Sequence, residues 1–333
     1  MPSFRTGVVT GIRAERVGLQ KVEVDGEPAY VLTQLIGTVA VGDRVVINTT
    51  AVDLGLGTGG WHFVHWNLAR ESWSEAGGGT VMKLRYTSLQ VDTGAAEEDG
   101  APPDLAMSLD GRPVVACTLH SQVAGVAAGF ARGAPGRRLV YVMTDSAALP
   151  LAVSDLVADL RGRGLLASTV TCGQAFGGDD EAVSVPSALQ VAAVVARADA
   201  IVVGPGPGVV GTGSEYGFGG VEVAVVVDVA AHLGGRPIVA VRYSDADRRD
   251  RHRGVSHHTT TALALAGCRP GVAVPRGTDG HGGLDGLGDV VEVDVPDDLD
   301  FGVATSMGRG PAQDPGFFRW AAAAGMLAGR LLG

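Results

Sequence analysis

The chain has 333 residues, a formal net charge of −10 at pH 7 and 46% hydrophobic residues. This length accommodates two domains, and the apolar fraction is high enough for a sizeable core, which excludes an intrinsically disordered chain. The acidic balance argues against a nucleic-acid partner, because contact with the phosphate backbone needs a positively charged surface. The cysteines Cys117, Cys172 and Cys268 lie far apart without a CxxC pair, which argues against a disulfide framework and a zinc knuckle.

The sequence carries no targeting signal that we can identify. The N-terminus lacks the charged and apolar regions of a signal peptide, and no run of about eighteen apolar residues predicts a membrane span. We therefore expect a cytoplasmic protein without a membrane partner.

Residues 1–100 are predicted to form a small β-rich module. Four short runs rich in β-branched residues are separated by turn signals such as Asp25-Gly26, with no helical pattern between them. These runs lie at 7–12, 20–24, 30–33 and 41–48. Such a series predicts a compact barrel or sandwich. One more strand is expected within 80–90, and the acidic stretch 101–112, which contains proline and glycine, is the predicted linker.

From residue 113 to 333 the pattern alternates between apolar strands and helices. The predicted strands lie at 113–119, 138–143, 165–171, 200–203, 237–241 and 290–295. The predicted helices lie at 121–132, 151–160, 186–197, 259–266 and 315–332. The valines of 221–233 favour a strand whereas its length favours a helix. Apolar strands separated by helices predict a mostly parallel sheet covered on both faces, hence a doubly wound, Rossmann-like α/β domain.

Polar residues follow each predicted strand at the edge where open parallel sheets bind ligands. The first strand is followed by His120-Ser121, the second by Asp145, the third by Gln174 and the fifth by Arg242. Histidine, glutamine and arginine are not preferred turn residues, so these side chains predict a ligand site. The alternative is that the strand ends are polar simply because they reach solvent.

The fourth strand leads into a loop, residues 204–220, in which eight of seventeen residues are glycine. A loop between a strand and a helix offers unpaired N–H groups and the positive end of the helix dipole to an anion. It is not a Walker A loop, and it fits the dinucleotide pattern G-x-G-x-x-G only by letter. The acidic residue expected about 20 positions further on would be Asp245, about 35 positions on, which disfavours NAD and FAD. A tight or flexible loop that binds nothing is the alternative.

Residues 236–256 contain six arginines against three aspartates, a local positive charge in an acidic protein. Arginine grips a carboxylate or phosphate bidentately, so this segment favours an anionic ligand. The alternative is a solvated loop in which Ser256 or Thr259 is a helix N-cap and the side chains of His257 and His258 are exposed to water.

The sequence offers weaker support for two further kinds of site. An N/O metal site from His120, Asp145, His257 and His258 is chemically reasonable, but the spacing does not require it and no metal is assigned. A hydrolase triad from Ser121, His120 and Asp145 is disfavoured, since adjacent residues of one turn rarely face each other and no G-x-S-x-G elbow occurs.

The sequence thus predicts a protein that binds a small anionic metabolite, as a hydrolase or transferase or as a non-catalytic sensor or scaffold. Nucleic-acid binding through the N-terminal module is a third reading, disfavoured by charge. The candidate catalytic residues are His120, Asp145, Gln174 and His257. The candidate ligand-binding residues are Ser121, Gly206, Gly208, Gly211, Thr212, Gly213, Ser214, Arg242, Ser244, Asp245, Arg253, Ser256 and His258. The sequence does not identify a cofactor. The alanine-rich C-terminal helix and the small β module favour a homodimer without requiring it.

The order of these motifs along the chain is similar to that of a known family. The motifs are Gly42-Asp43, the glycines of 55–60, Leu119-His120-Ser121-Gln122, Gly211-Thr212-Gly213 with Phe218-Gly219-Gly220, Arg242-Tyr243-Ser244-Asp245, Ser256-His257-His258 and Met307-Gly308-Arg309. Together they resemble an uncharacterised bacterial family, domain of unknown function 3866, over almost the whole chain. The resemblance implies no activity, cofactor or catalytic residue.

Overall fold

The computed structural model describes residues 1–98, 102, 105, 108–278 and 281–333. The chain divides into two compact units, Met1–Gly94 and Ala95–Gly333. The predicted linker 101–112 falls in part on residues that lie outside the described ones, and the linker stays a prediction.

The N-terminal unit contains a closed five-stranded barrel in the order β1-β2-β3-β5-β4. Its strands are β1 Phe4–Arg16, β2 Leu19–Val24, β3 Glu27–Leu32, β4 Arg44–Asn48 and β5 His62–Asn67. Alternating apolar residues such as Val22, Val24 and Val31 are fully buried inside it, as expected for strands with one face inward. β3 and β5 are parallel and the other neighbours are antiparallel. The predicted β-barrel module is confirmed.

The remaining elements of this unit are short. They are α1 Thr33–Ile36, α2 Thr50–Asp53, β6 Met82–Lys83 and β7 Val91–Asp92. The predicted strand within 80–90 is therefore reduced to two residues. Leu84 and Tyr86 have positive φ angles of 53° and 60°, which a continuous extended strand does not permit.

The second unit is built on an eight-stranded sheet in the order β11-β10-β9-β12-β8-β13-β16-β17. Its strands are β8 Pro113–Cys117, β9 Leu139–Thr144, β10 Ser168–Cys172, β11 Asp180–Ala182, β12 Ala200–Pro205, β13 Arg236–Ala240, β16 Gly271–Pro275 and β17 Asp289–Val293. Every pair of neighbours is parallel. Between β13 and β16 the chain forms a small antiparallel ladder of β14 Tyr243–Ser244 and β15 Gly254–Val255.

Helices cover both faces of this sheet. The helices are α3 Gln122–Gly133, α4 Asp155–Gly162, α5 Val185–Val194, α6 Val223–His232, α7 His257–Leu265 and α8 Pro315–Arg330. Successive strand residues alternate between two core layers, one with α5, α6 and α7 and one with α3, α4 and α8. The predicted α/β architecture with a parallel sheet is confirmed. The ambiguous segment 221–233 is a helix, and among the described residues no helix is long and apolar enough to cross a bilayer.

Helix α8 packs inside this unit against α3. Four consecutive alanines, Ala321–Ala324, are completely buried. The apolar surface that favoured a homodimer is therefore used within the chain, and the homodimer stays a prediction without that support.

Candidate functional site

The order of the strands creates a crevice at the carboxyl edge of the sheet. β8 and β12 are neighbours, but β8 continues into α3 on one face whereas β12 leads to α6 on the other. Ligands of open parallel sheets bind where two adjacent strands lead to opposite faces. The residues at this position are His120, which follows β8, and Pro205, which ends β12.

His120 is held from both ring nitrogens. Its Nδ1 lies 3.0 Å from the carbonyl oxygen of Pro205 and 3.1 Å from the hydroxyl of Tyr141. Its Nε2 lies 2.7 Å from Oγ of Ser154. Because a carbonyl can only accept, Nδ1 donates to Pro205, and Nε2 therefore accepts a hydrogen bond from the Ser154 hydroxyl.

Ser154 occupies the N-cap of α4. Its Oγ accepts a hydrogen bond from the backbone N–H of Val157 at 3.0 Å, the usual contact of an N-cap serine. The first turn of a helix carries positive partial charge, so the serine oxygen lies where negative charge is stabilised. The pair Ser154-Asp155 before a helical pattern is a sequence signal for an N-cap. The proximity of Ser154 to a histidine 34 residues earlier was not predictable from the sequence.

A cavity of about 590 Å³ opens beside this pair of side chains. It is lined by His120, Ser121, Val153, Ser154, Asp155, Leu156, Asp159, Pro207, Val303, Ala304 and Thr305. A cavity of this volume is large enough for a small metabolite. It is the space through which a ligand would reach the His120–Ser154 pair.

Burial sets the protonation state of this pair. Desolvation lowers the pKa of His120 to about 4, partly opposed by the hydrogen bond to Pro205. The imidazole is therefore neutral at pH 7, with its lone pair directed at Ser154. Burial also raises the pKa of Tyr141, which keeps its hydroxyl as a donor to Pro205 at 2.9 Å.

The glycine-rich loop turns outward and pairs with itself. Gly211 and Phe218 form an antiparallel bridge, and the N–H of Thr212 donates to the carbonyl of Gly217 at 2.7 Å. The side chains of Thr212 and Ser214 hydrogen-bond to each other at 2.8 Å. Gly211, Thr212, Gly213 and Ser214 are all exposed.

A carboxylate lies near the start of the helix that follows this loop. Glu222 accepts hydrogen bonds from Thr144 at 2.5 Å and Ser146 at 2.8 Å, just before α6 begins. Burial raises the pKa of Glu222, with a smaller contribution from Asp145, while both hydroxyls oppose the rise. An ionised Glu222 would repel an anionic ligand at this helix end, which weakens the argument from the glycines. The anion site at the loop stays a prediction.

The arginine–histidine segment meets the glycine-rich loop. The rings of Phe218 and His258 stack with centroids 3.7 Å apart and an angle of 3° between planes. On its other side, Nδ1 of His258 accepts a hydrogen bond from the Arg242 guanidinium at 2.9 Å. His258 and Arg242 are both buried, so the solvated alternative for His258 is wrong.

Asp247 compensates part of the positive charge here. Arg249 donates to both of its carboxylate oxygens, at 2.9 and 2.8 Å, and Arg242 lies 3.8 Å away. The hydrogen bond from Arg249 is the main reason that the pKa of Asp247 lies well below its usual range. Ser256 is the N-cap of α7, as one alternative expected, accepting from the His258 N–H at 3.2 Å.

The other candidate residues have separate partners. Asp145 is exposed and accepts from the N–H of Gln174 at 2.9 Å. Ser244 is buried and donates to Asp314 at 2.6 Å, while Asp245 accepts from Tyr243 at 2.8 Å. The remaining candidates are Gly206, which is buried, Gly208, which has a positive φ of 87°, and Arg253, which is exposed.

Most of the candidate residues therefore fall into three groups. His120 and Ser121 line the cavity, and Asp145 and Gln174 contact each other. Phe218 of the loop contacts His257 and His258, and His258 in turn bonds to Arg242 and Ser256. Sequence reasoning missed Ser154, His252 and Asp247, which become relevant only through contacts between elements.

The fold and the site together define an α/β protein with an N-terminal barrel and a His–Ser pair at the carboxyl edge of its parallel sheet. The family model described as "Protein of unknown function (DUF3866)" matches residues 28–325, and the chain belongs to this family. The resemblance seen in the sequence motifs is thereby confirmed. No curated protein and no solved structure matches the chain.

Proposed function

We propose that this protein is a hydrolase or transferase that acts on a small metabolite in the cavity beside His120. The observation that carries the proposal is the 2.7 Å contact between His120 Nε2 and Ser154 Oγ at that cavity. A neutral imidazole in this tautomer accepts the serine proton while the serine oxygen attacks a substrate. The Pro205 carbonyl takes the place of the third group that orients the histidine in hydrolase triads.

In the proposed reaction the Ser154 oxygen bonds to an acyl or phosphoryl centre and its proton moves to Nε2 of His120. The imidazolium returns this proton to the leaving group as the bond to that group breaks. Water, in a hydrolase, or a second acceptor, in a transferase, then releases the group by the same steps in reverse. The amides at the start of α4 favour the negative charge that develops on the serine oxygen.

The predicted anionic character of the ligand belongs to this proposal but has a different support. It rests on Arg242 and Arg249 beside the glycine-rich loop, whereas the carboxylates that line the cavity are Asp155 and Asp159. A substrate panel therefore needs neutral and anionic esters, thioesters and phosphoesters. The cytoplasmic location is proposed on the sequence signals alone.

A fluorophosphonate probe and this substrate panel test the proposal. We expect Ser154→Ala to abolish labelling and to lower kcat/KM by at least about 1,000-fold, and His120→Asn by at least about 100-fold. Ser184→Ala is the matched control, because Ser184 is also a helix N-cap serine, accepting from the Ser187 N–H, and loses a similar capping energy of about 1 kcal/mol.

The control variant should keep both labelling and turnover. The proposal fails if the wild-type protein is neither labelled nor active on any member of the panel, or if Ser154→Ala is labelled as strongly as the wild type.

A further inference from the structure

Three histidines converge beside the glycine-rich loop. His252 comes from a single 3₁₀ turn, Asp250–His252, and His257 and His258 begin α7. One ring nitrogen from each lies within 4.8 Å of the other two. The ring centroids are 4.4 to 4.9 Å apart.

One nitrogen of these three rings has no partner among the described residues. Nε2 of His257 is buried and has no hydrogen-bond partner among the described residues. A buried polar atom of this kind costs free energy unless a ligand or a water satisfies it. This atom is a second observation, independent of the convergence of the rings, that points to a ligand.

We propose that His252, His257 and His258 bind one divalent transition-metal ion, with zinc as the natural choice for three imidazoles. Zinc takes three histidine ligands at about 2.1 Å and keeps a fourth position open, which sets its donors about 3.4 Å apart. The observed separations are at most 4.8 Å, so the rings have to move closer together when the metal binds. The site does not involve His120 or Ser154 and does not depend on the function proposed above.

The surroundings of the histidines suit this role in part. Nδ1 of His252 lies 2.7 Å from Oγ of Ser256, so that hydroxyl can accept the Nδ1 hydrogen. Nε2 of His252 accepts a hydrogen bond from Arg251 at 3.4 Å, so Arg251 must turn away when a metal ion binds at this nitrogen.

Arg242 imposes a specific rearrangement. While it donates to Nδ1 of His258, the Nε2 of that neutral ring carries the hydrogen. Metal binding at Nε2 needs the other tautomer, so Arg242 must turn towards Asp247, whose carboxylate oxygen is 3.8 Å away.

The surplus positive charge favours an anion in the open position of the metal. Arg242, Arg249 and Arg251 all act electrostatically on His258 or its neighbours, and Asp247 offsets only one of them. A metal hydroxide, or a carboxylate or phosphate bound to the metal, would balance this charge.

The test is titration of the full-length protein, after EDTA treatment and dialysis, with Zn²⁺ by calorimetry and with Co²⁺ by absorption spectroscopy. We expect one equivalent of Zn²⁺ to bind, visible d–d bands of four-coordinate Co²⁺, and a rise in Tm with Zn²⁺. His257→Gln should weaken Zn²⁺ binding at least tenfold, and it should fold because the ring nitrogen it removes has no partner. His232→Gln, at the exposed end of α6, is the control and should bind like the wild type.

Two results would overturn the proposal. One is the absence of Zn²⁺ and Co²⁺ binding in the wild-type protein, and the other is unchanged Zn²⁺ affinity in a folded His257→Gln variant. Loss of binding in His257→Gln together with unchanged binding in His232→Gln supports it.

Discussion

The pKa of His120 makes the stability of the protein depend on pH in a definite direction. The folded-state value is about 4, below the ordinary value of 6.5, because burial disfavours the imidazolium. Between these two values the unfolded chain binds a proton that the folded chain does not. The contribution of His120 to stability is therefore fully present above 6.5 and is lost as the pH falls towards 4.

We expect the free energy of unfolding to fall by about 2 kcal/mol from about pH 7 to about pH 5 through this residue alone. Urea unfolding at the two pH values measures it, and His120→Asn should remove that part of the decrease. The exposed His232→Gln variant should keep the wild-type pH dependence. An identical decrease in wild type and His120→Asn would show that His120 does not titrate as its burial requires.

At the scale of elements, glycines determine how closely α3 and α8 approach each other. Gly125, Gly129 and Gly133 recur every four residues on the face of α3 that meets α8. A Cβ atom on Gly129 would overlap the carbonyl oxygen of Ala322, and one on Gly325 would overlap that of Val126. The backbones of the two helices are thus in direct contact within the core layer that α3, α4 and α8 form on one face of the sheet.

Gly129→Ala should therefore destabilise the second unit by about 3 kcal/mol, because neither backbone can move without disturbing the sheet. Gly162→Ala in the last turn of α4 is the control, since no described atom lies within 4 Å of its added Cβ. That change should be neutral or stabilising by about 0.5 kcal/mol, in line with helix propensity. Equal unfolding free energies for the two variants would contradict the close approach of the helices.

At the scale of the whole molecule, each unit has a core of its own. Among the described residues, the buried barrel core lies between Val9 and Val64, whereas the buried residues of the two layers beside the parallel sheet lie from Leu109 onwards. A closed barrel leaves no unpaired strand edge that a second domain has to cover.

We therefore expect residues 1–94 to fold when they are expressed alone. Cooperative urea unfolding, with a β-type circular dichroism spectrum and dispersed amide resonances in an NMR spectrum, would establish this. A fragment with a gradual unfolding curve and collapsed resonances would show that the barrel core is not sufficient.

The sequence by itself determined the types of element and the two architectures. Runs of β-branched residues with turn signals predict the barrel strands, and apolar strands between helices predict a parallel sheet, because period and composition are local properties of a chain. The polar residues that follow the strands and the N-cap at Ser256 were also predictable from the local sequence. Local signals missed β11, a three-residue strand with two acidic residues, and β16, and the valines of α6 left that segment undecided between strand and helix.

Only the tertiary structure decided which polar residues meet. Ser154 reaches His120 because α4, which follows β9, lies on the same face of the sheet as α3. His252 joins His257 and His258 because a single turn folds back on α7. The glycine-rich loop was the most conspicuous signal in the sequence, yet it folds outward and contributes Phe218 against His258. Strand order and crossover direction set these distances, and neither is encoded in the neighbourhood of any one of the residues involved.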